Sequence, residues 1–275
     1  MPLFQVVILA IVQGITEFLP ISSSAHLTIL PWLLGWKDPG LEFDIALHVG
    51  TLIAVLGYFF KDWIQIVIEG FGGNYGAGRV GDPELRPNRM LLWMIALGSI
   101  PAGIAGLVFR EQAETIWRSP SIIGAMLIAI GLIMWAAERA GAKARNLSHL
   151  NFVDAGLIGL SQALAIVPGT SRSGVTIATG LFRQFDRVAA ARFSFLLSTP
   201  VIAGAALSAL LHMRKHGGIA PDMRVPFIVG IVVSAAVGAA VIALFMRFMQ
   251  NRTLYPFIYY RIAFGIIVLA LAAFR

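Results

Sequence analysis

Apolar residues run along this chain in long blocks. Six of these reach the length of a membrane span: 41–60, 90–109, 121–137, 188–211, 225–246 and 255–274. A helix needs roughly 20 residues to cross a hydrocarbon core. Two further apolar stretches are interrupted. Residues 3–36 break at Pro20 and again near Pro31. Residues 152–183 break at Pro168-Gly169, leaving pieces of about 16 and 10 residues, the second too short to span. Both stretches read as re-entrant helical hairpins, because non-helical backbone survives at membrane depth only inside protein or beside a water-filled cavity. Two ordinary short spans are the competing reading, which suits 3–36 better than 152–183. The expected fold is an all-α polytopic membrane protein with six transmembrane helices and two re-entrant hairpins, in one integral membrane domain over 1–275.

Composition agrees. Hydrophobic residues make up 58% of the chain and charged residues 13%, against about 25% charged in a soluble domain. Mean hydropathy is +0.81. The N-terminus lacks a charged leader, and its apolar run leads into Glu17 and Pro20 rather than a small-residue cleavage site. The chain has no cysteine, which excludes disulfides, thiolate metal sites and a cysteine nucleophile. The net charge of +7 fits basic loops beside lipid phosphates, not nucleic-acid binding. Twelve basic residues fall on one side of the spans, among them Lys61, Arg79, Arg86, Arg145, Arg183 and Arg252. Seven fall on the other, among them Lys37, Arg110, Arg118 and Arg275. The richer side is expected in the cytoplasm, with both termini outside. The loop 69–89 reads as a cytoplasmic linker.

The two interrupted stretches resemble each other. With Gln13 placed over Gln162, Ser22-Ser23-Ser24 falls over Ser171-Arg172-Ser173, and Pro20 and Pro168 precede the two triplets. Further on, F-D-I-A-L-H-V-G (Phe43 to Gly50) lies over F-S-F-L-L-S-T-P (Phe193 to Pro200) with a one-residue shift. The chain therefore reads as an inverted-topology repeat, about 1–137 and about 150–275, with a site where the halves meet.

The candidate chemistry sits in those clusters. Gln13 and Glu17 share one helix face, and a carboxylate inside a membrane segment marks a functional site by default. Glu17 could hold a divalent cation, act as a base or orient a partner; a structural hydrogen bond is the plain reading. His26, just past Ser22 and Ser23, could attack phosphorus or deprotonate a serine. P-G-T-S-R-S-G-V-T reads as an anion cradle: glycines for close approach, hydroxyls, helix N-terminal amides and the planar fork of Arg172. An internal pair between Arg172 and Glu17 is compatible with that role. Asp44 and His48 share a helix face, Asp154 opens the second hairpin, and Arg261 lies inside the last span. Each of the first three divides between structural and site roles, while Arg261 is expected to pair with a carboxylate or snorkel.

These residues resemble a known family over nearly the whole chain, the bacterial undecaprenyl-diphosphatases, also called bacitracin-resistance proteins. Its first motif, E/Q-x-x-x-E followed by F-L-P-x-S-S-x-x-H, is matched by Gln13, Glu17, Pro20, Ser22, Ser23 and His26. Its second, P-G-x-S-R-S-x-x-T, is matched by Pro168, Gly169, Ser171, Arg172, Ser173 and Thr176. The resemblance implies hydrolysis of the C55 isoprenoid diphosphate to its monophosphate, which recycles the lipid carrier of cell-wall synthesis in the bacterial plasma membrane. It implies a divalent cation, magnesium or calcium, with Glu17 and Gln13 as the candidate metal ligands. Glu17, Ser23, His26 and Arg172 are the catalytic candidates, with Ser22, Ser171, Arg172, Ser173 and Thr176 on the phosphates. One departure is Gln13, where the family often has glutamate; an amide offers an oxygen but neither charge nor a base. The expected partners are the polyprenyl diphosphate and membrane lipids, with no nucleic acid and a homodimer left open. Ser23 and His26 are not separable as nucleophiles at this level. A secondary transporter or flippase of a lipid phosphate is the rival reading, since inverted repeats with broken helices are common there.

Overall fold

The computed structural model describes residues 1–275 except 76–81, 86–87, 141–142, 216–217 and 275, together with the side chains of Leu41 and Glu114. Arg79, Arg86 and Arg275 of the charge comparison, and part of the linker 69–89, lie outside the described residues. The described residues are helical: α1 (Leu3–Thr16), α2 (Ser23–Leu34), α3 (Leu41–Tyr58), α4 (Phe60–Gly70), α5 (Leu91–Val108), α6 (Arg110–Glu114), α7 (Pro120–Arg139), α8 (Phe152–Ala163), α9 (Arg172–Phe182), α10 (Arg187–Lys215), α11 (Arg224–Asn251) and α12 (Tyr255–Phe274). Helices α5, α7, α10, α11 and α12 are long and apolar enough to cross a membrane. The pair α3 and α4, bent by 74° at Phe59, makes a sixth candidate. The chain is a multi-pass membrane protein, because in hydrocarbon a helix satisfies its backbone groups internally.

The chain differs from the sequence reading in two places. Helix α2 does not break at Pro31 but runs through it to Leu34. Proline removes only its own amide from the ladder, and Gly35 closes the helix in the left-handed region with φ 65°. The block 41–60 is followed by a further helix before the linker. It turns at Phe59 into α4, whose inner face buries Gln65, Ile66 and Glu69; there Gln65 takes the Asp82 amide at 2.8 Å.

Packing crosses between the halves. Helix α1 lies on α11, α8 on α5, α3 on α10 and α11, and α7 on α12. These contacts are close because small residues face each other. A Cβ built on Gly159 in α8 would stand 2.3 Å from the Gly98 carbonyl oxygen of α5. Gly159→Ala is therefore expected to destabilise the protein by about 1–3 kcal/mol through overpacking. Gly156→Ala, where the new Cβ meets nothing within 4 Å, should be neutral. Melting midpoints of the two variants in detergent check this, and equal midpoints would refute it.

Charged residues gather at the two ends of the bundle. Asp154 takes Arg145 at 2.5 Å and Arg183 at 2.7 Å. Glu138 takes Arg187 and Lys143, and Arg192 joins Asp62 at 2.6 Å and Asp82 at 2.7 Å. At the other end Arg118 bridges Asp38 and Asp44, at 3.1 and 3.3 Å.

Candidate active site

Both broken stretches turn in the same way. A proline stands in the turn after each first helical arm, and the chain re-enters a helix at a serine held at positive φ, Ser22 at 77° and Ser171 at 68°. Few residues other than glycine adopt this region. Each serine then caps the next helix: Ser22 Oγ accepts the Ala25 amide at 3.4 Å, and Ser171 Oγ accepts the Gly174 amide at 3.1 Å. Each also meets the hydroxyl two residues on, Ser24 at 3.2 Å and Ser173 at 3.3 Å. The shared geometry follows from the shared residue pattern.

The two turns touch. Ser173 Oγ donates to the Leu19 carbonyl at 3.1 Å, and the Gly169 amide donates to Ser24 Oγ at 3.4 Å. Between them lies a cavity of about 100 Å³ lined by Glu17, Ser23, Ser24, His48, Ala165, Ser171 and Arg172. A larger hollow, lined in part by Glu42, Arg110 and His212, has no serine in its wall.

Glu17 is the hub. Its Oε1 accepts Arg172 Nη2 at 2.7 Å. Its Oε2 accepts the Ser23 hydroxyl at 2.6 Å and Gln13 Nε2 at 3.0 Å, and His48 Nε2 lies 3.3 Å away. Arg172 is steadied from behind, its Nη1 donating to the Ser194 carbonyl at 3.1 Å. The Asp44 carbonyl accepts His48 Nδ1–H at 2.7 Å, which fixes the ring with Nε2 toward Glu17. The Gln13 Oε1 atom is buried without a hydrogen-bond partner among the described residues.

Glu17, Ser23, Ser171 and Arg172 thus come together at the cavity, with Gln13 behind Glu17. Other candidates face elsewhere. Ser22 is buried in its capping role. Thr176 Oγ1 donates to the Arg172 carbonyl at 2.8 Å and meets Ser194 Oγ at 2.7 Å, so it braces α9 against α10. Asp154 caps α8 within its arginine pair. Arg261 does not snorkel, being 0% exposed, and among the described residues it pairs with backbone carbonyls and not with a carboxylate. His26 points away from the cavity, toward Tyr260. Of the pair Asp44 and His48, the histidine lines the cavity while Asp44 faces Arg118. Helix spacing puts both on one face; only the packing of α3 separates them.

The residues 6–267 match the model of a family described as bacitracin resistance protein BacA. Among similar proteins are undecaprenyl-diphosphatases of Trichlorobacter lovleyi, 47% identical over 98% of this chain and 97% of theirs, and of Moorella thermoacetica, 44% identical over 98% of both. Another, from Thermomicrobium roseum, is 44% identical over 100% of this chain and 99% of its own. The match covers both breaks and every residue of the cavity, and the chain belongs to the bacitracin resistance protein BacA family.

Proposed function

We propose that this chain hydrolyses undecaprenyl diphosphate to undecaprenyl phosphate and inorganic phosphate. The observation that carries the reading is the convergence of the Ser23 hydroxyl and the Arg172 guanidinium on one carboxylate, at 2.6 and 2.7 Å. This is a nucleophile against a base, beside a bidentate phosphate ligand. Arg172 exchanges Glu17 for the oxygens of the terminal phosphoryl group, with Ser171 and the turn amides beside it. Ser23 Oγ attacks that phosphorus as its proton passes to Glu17, and the bridging P–O bond breaks. The lipid phosphate leaves as an anion and needs no proton. Water then attacks the phosphoserine; its oxygen stays with inorganic phosphate, and Glu17 returns the proton to Ser23 Oγ.

A divalent cation fits beside these groups. Glu17 and the orphaned Gln13 Oε1 would hold it, with phosphate oxygens and water completing the shell, as magnesium commonly binds. When bound, it supplies charge neutralisation for the phosphoryl oxygens. Among the described residues no three acidic or histidine side chains gather as a cage.

The matched serine turns and the exchanged pairings α1 on α11 and α8 on α5 support an inverted repeat with two re-entrant hairpins. The cluster of Arg145, Arg183, Arg187 and Arg192 supports a cytoplasmic end there, with both termini outside the bacterial plasma membrane. The test is inorganic phosphate release from C55 diphosphate by protein in detergent, with and without chelator. Stoichiometric release of phosphate and C55 monophosphate is expected. No release, with lipid transport retained, would sink the reading in favour of a transporter.

A further inference from the structure

We infer that His26 and Arg261 are positioning residues, which with Tyr260 fix the backbone of both turns, so that His26 serves catalysis through the Ser22–Ser23 peptide and not by touching phosphate. The catalytic half of this statement rests on the proposed function.

Arg261 lies on α12 and is fully buried. Its Nη1 donates to the Pro20 carbonyl at 3.1 Å, in the first turn. Its Nη2 donates to Gly169 and Thr170, at 2.9 and 3.0 Å, in the second, and its Nε reaches Leu127 of α7 at 3.3 Å. One guanidinium therefore ties together the two turns whose contact makes the cavity. Carbonyls freed where a helix breaks need donors once buried, and a buried guanidinium needs acceptors. Each supplies the other's need.

The neighbouring residue on α12 extends the frame. Tyr260 O–H donates to His26 Nε2 at 2.7 Å, and His26 Nδ1–H donates to the Ser22 carbonyl at 2.7 Å. A carbonyl only accepts, so Nδ1 carries the proton and the lone pair of Nε2 is taken by the tyrosine. The ring also stacks on Phe264 with centroids 4.7 Å apart. Neither nitrogen is free for phosphorus, and the ring is not part of the cavity wall. The carbonyl that it holds belongs to Ser22, at φ 77°, and to the peptide that leads into Ser23. If that peptide rotates, Ser23 Oγ leaves Glu17. The second turn has Val175 at the matching position, and there the Arg261 bonds to Gly169 and Thr170 stand just before Ser171.

The test compares His26→Asn with His26→Ala in the full-length protein. An asparagine amide can donate to the carbonyl four residues back but is neither base nor nucleophile. The asparagine variant is expected to keep kcat within about tenfold of the parent. The alanine variant should lose about a hundredfold in kcat with KM little changed, and hydrogen exchange of residues 17–27 should speed up with alanine and not with asparagine. Tyr260→Phe, which removes one hydroxyl at a partly exposed position, should show a smaller loss and the same exchange signature. It serves if the alanine variant does not fold. An asparagine variant as inactive as alanine, with an unchanged melting midpoint, would overturn the inference by making His26 a chemical group. Unchanged exchange in both the alanine and phenylalanine variants would overturn it too. A parent protein that releases no phosphate would instead overturn the proposed function, and the exchange comparison would still decide the positioning role.

Discussion

Ser23→Ala is expected to lower kcat for phosphate release by about 10⁴-fold or more, the scale seen when a nucleophile that works as a unit with its base is removed. The serine is the hydroxyl of the first turn that rests on a carboxylate, 2.6 Å from Glu17 Oε2, and it lines the cavity with Arg172. Ser24 is its control. It lines the same cavity, but its hydroxyl meets Ser22 and the Gly169 amide. Ser24→Ala should therefore lose far less, through a looser contact between the turns. Phosphate release and trapping of a phosphorylated enzyme by rapid acid quench measure both variants. Turnover by Ser23→Ala within tenfold of the parent would transfer the attack to water activated by Glu17.

Glu17→Gln should divide binding from turnover. In the resting site Arg172 is engaged by Glu17 at 2.7 Å, so phosphate must displace the carboxylate to gain the guanidinium. Removing the negative charge removes that competitor, and with the divalent cation kept saturating KM is expected to fall or stay level. Turnover should collapse by about 10²–10⁴-fold, the usual contribution of a positioned general base, because an amide cannot take the Ser23 proton. The variant should also be less stable, since the Arg172 charge loses its carboxylate partner inside the protein. Steady-state kinetics and melting in detergent test the split. A raised KM with kcat unchanged would make Glu17 a binding residue and remove it from proton transfer.

The fold was largely legible in the sequence because the signal for a membrane helix is local. Each apolar block carries its own length and its own hydrogen bonds, so helices α3, α5, α7, α10, α11 and α12 lie close to the blocks read from composition. Prolines marked the two breaks for a local reason too, yet Pro31 shows the limit: a lost amide bends or ends a helix only if nothing around it holds the rest of the ladder.

The site was legible as two polar clusters, and their internal similarity implied that they would meet. Which members face the cavity was not legible, because that depends on how α1, α2 and α9 rotate against helices far away in the chain. Ser22, Ser23 and Ser24 are adjacent and chemically alike; the left-handed turn at Ser22 aims Ser23 at Glu17 and Ser22 at its own helix. His26 and His48 are both membrane histidines beside polar residues. α12 draws the first out with Tyr260, and α3 brings the second in. Arg261 could be predicted to need partners, but its carbonyls come from residues 92 and 241 positions away, and only tertiary packing brings them to one point. The sequence by itself determined the solvent of this protein, its helices and the two polar clusters that supply its candidate site, since these follow from local apolarity and residue chemistry. The tertiary structure alone decided which groups share one cavity, since desolvation forces each buried charge and freed carbonyl to find the partner that packing puts within reach.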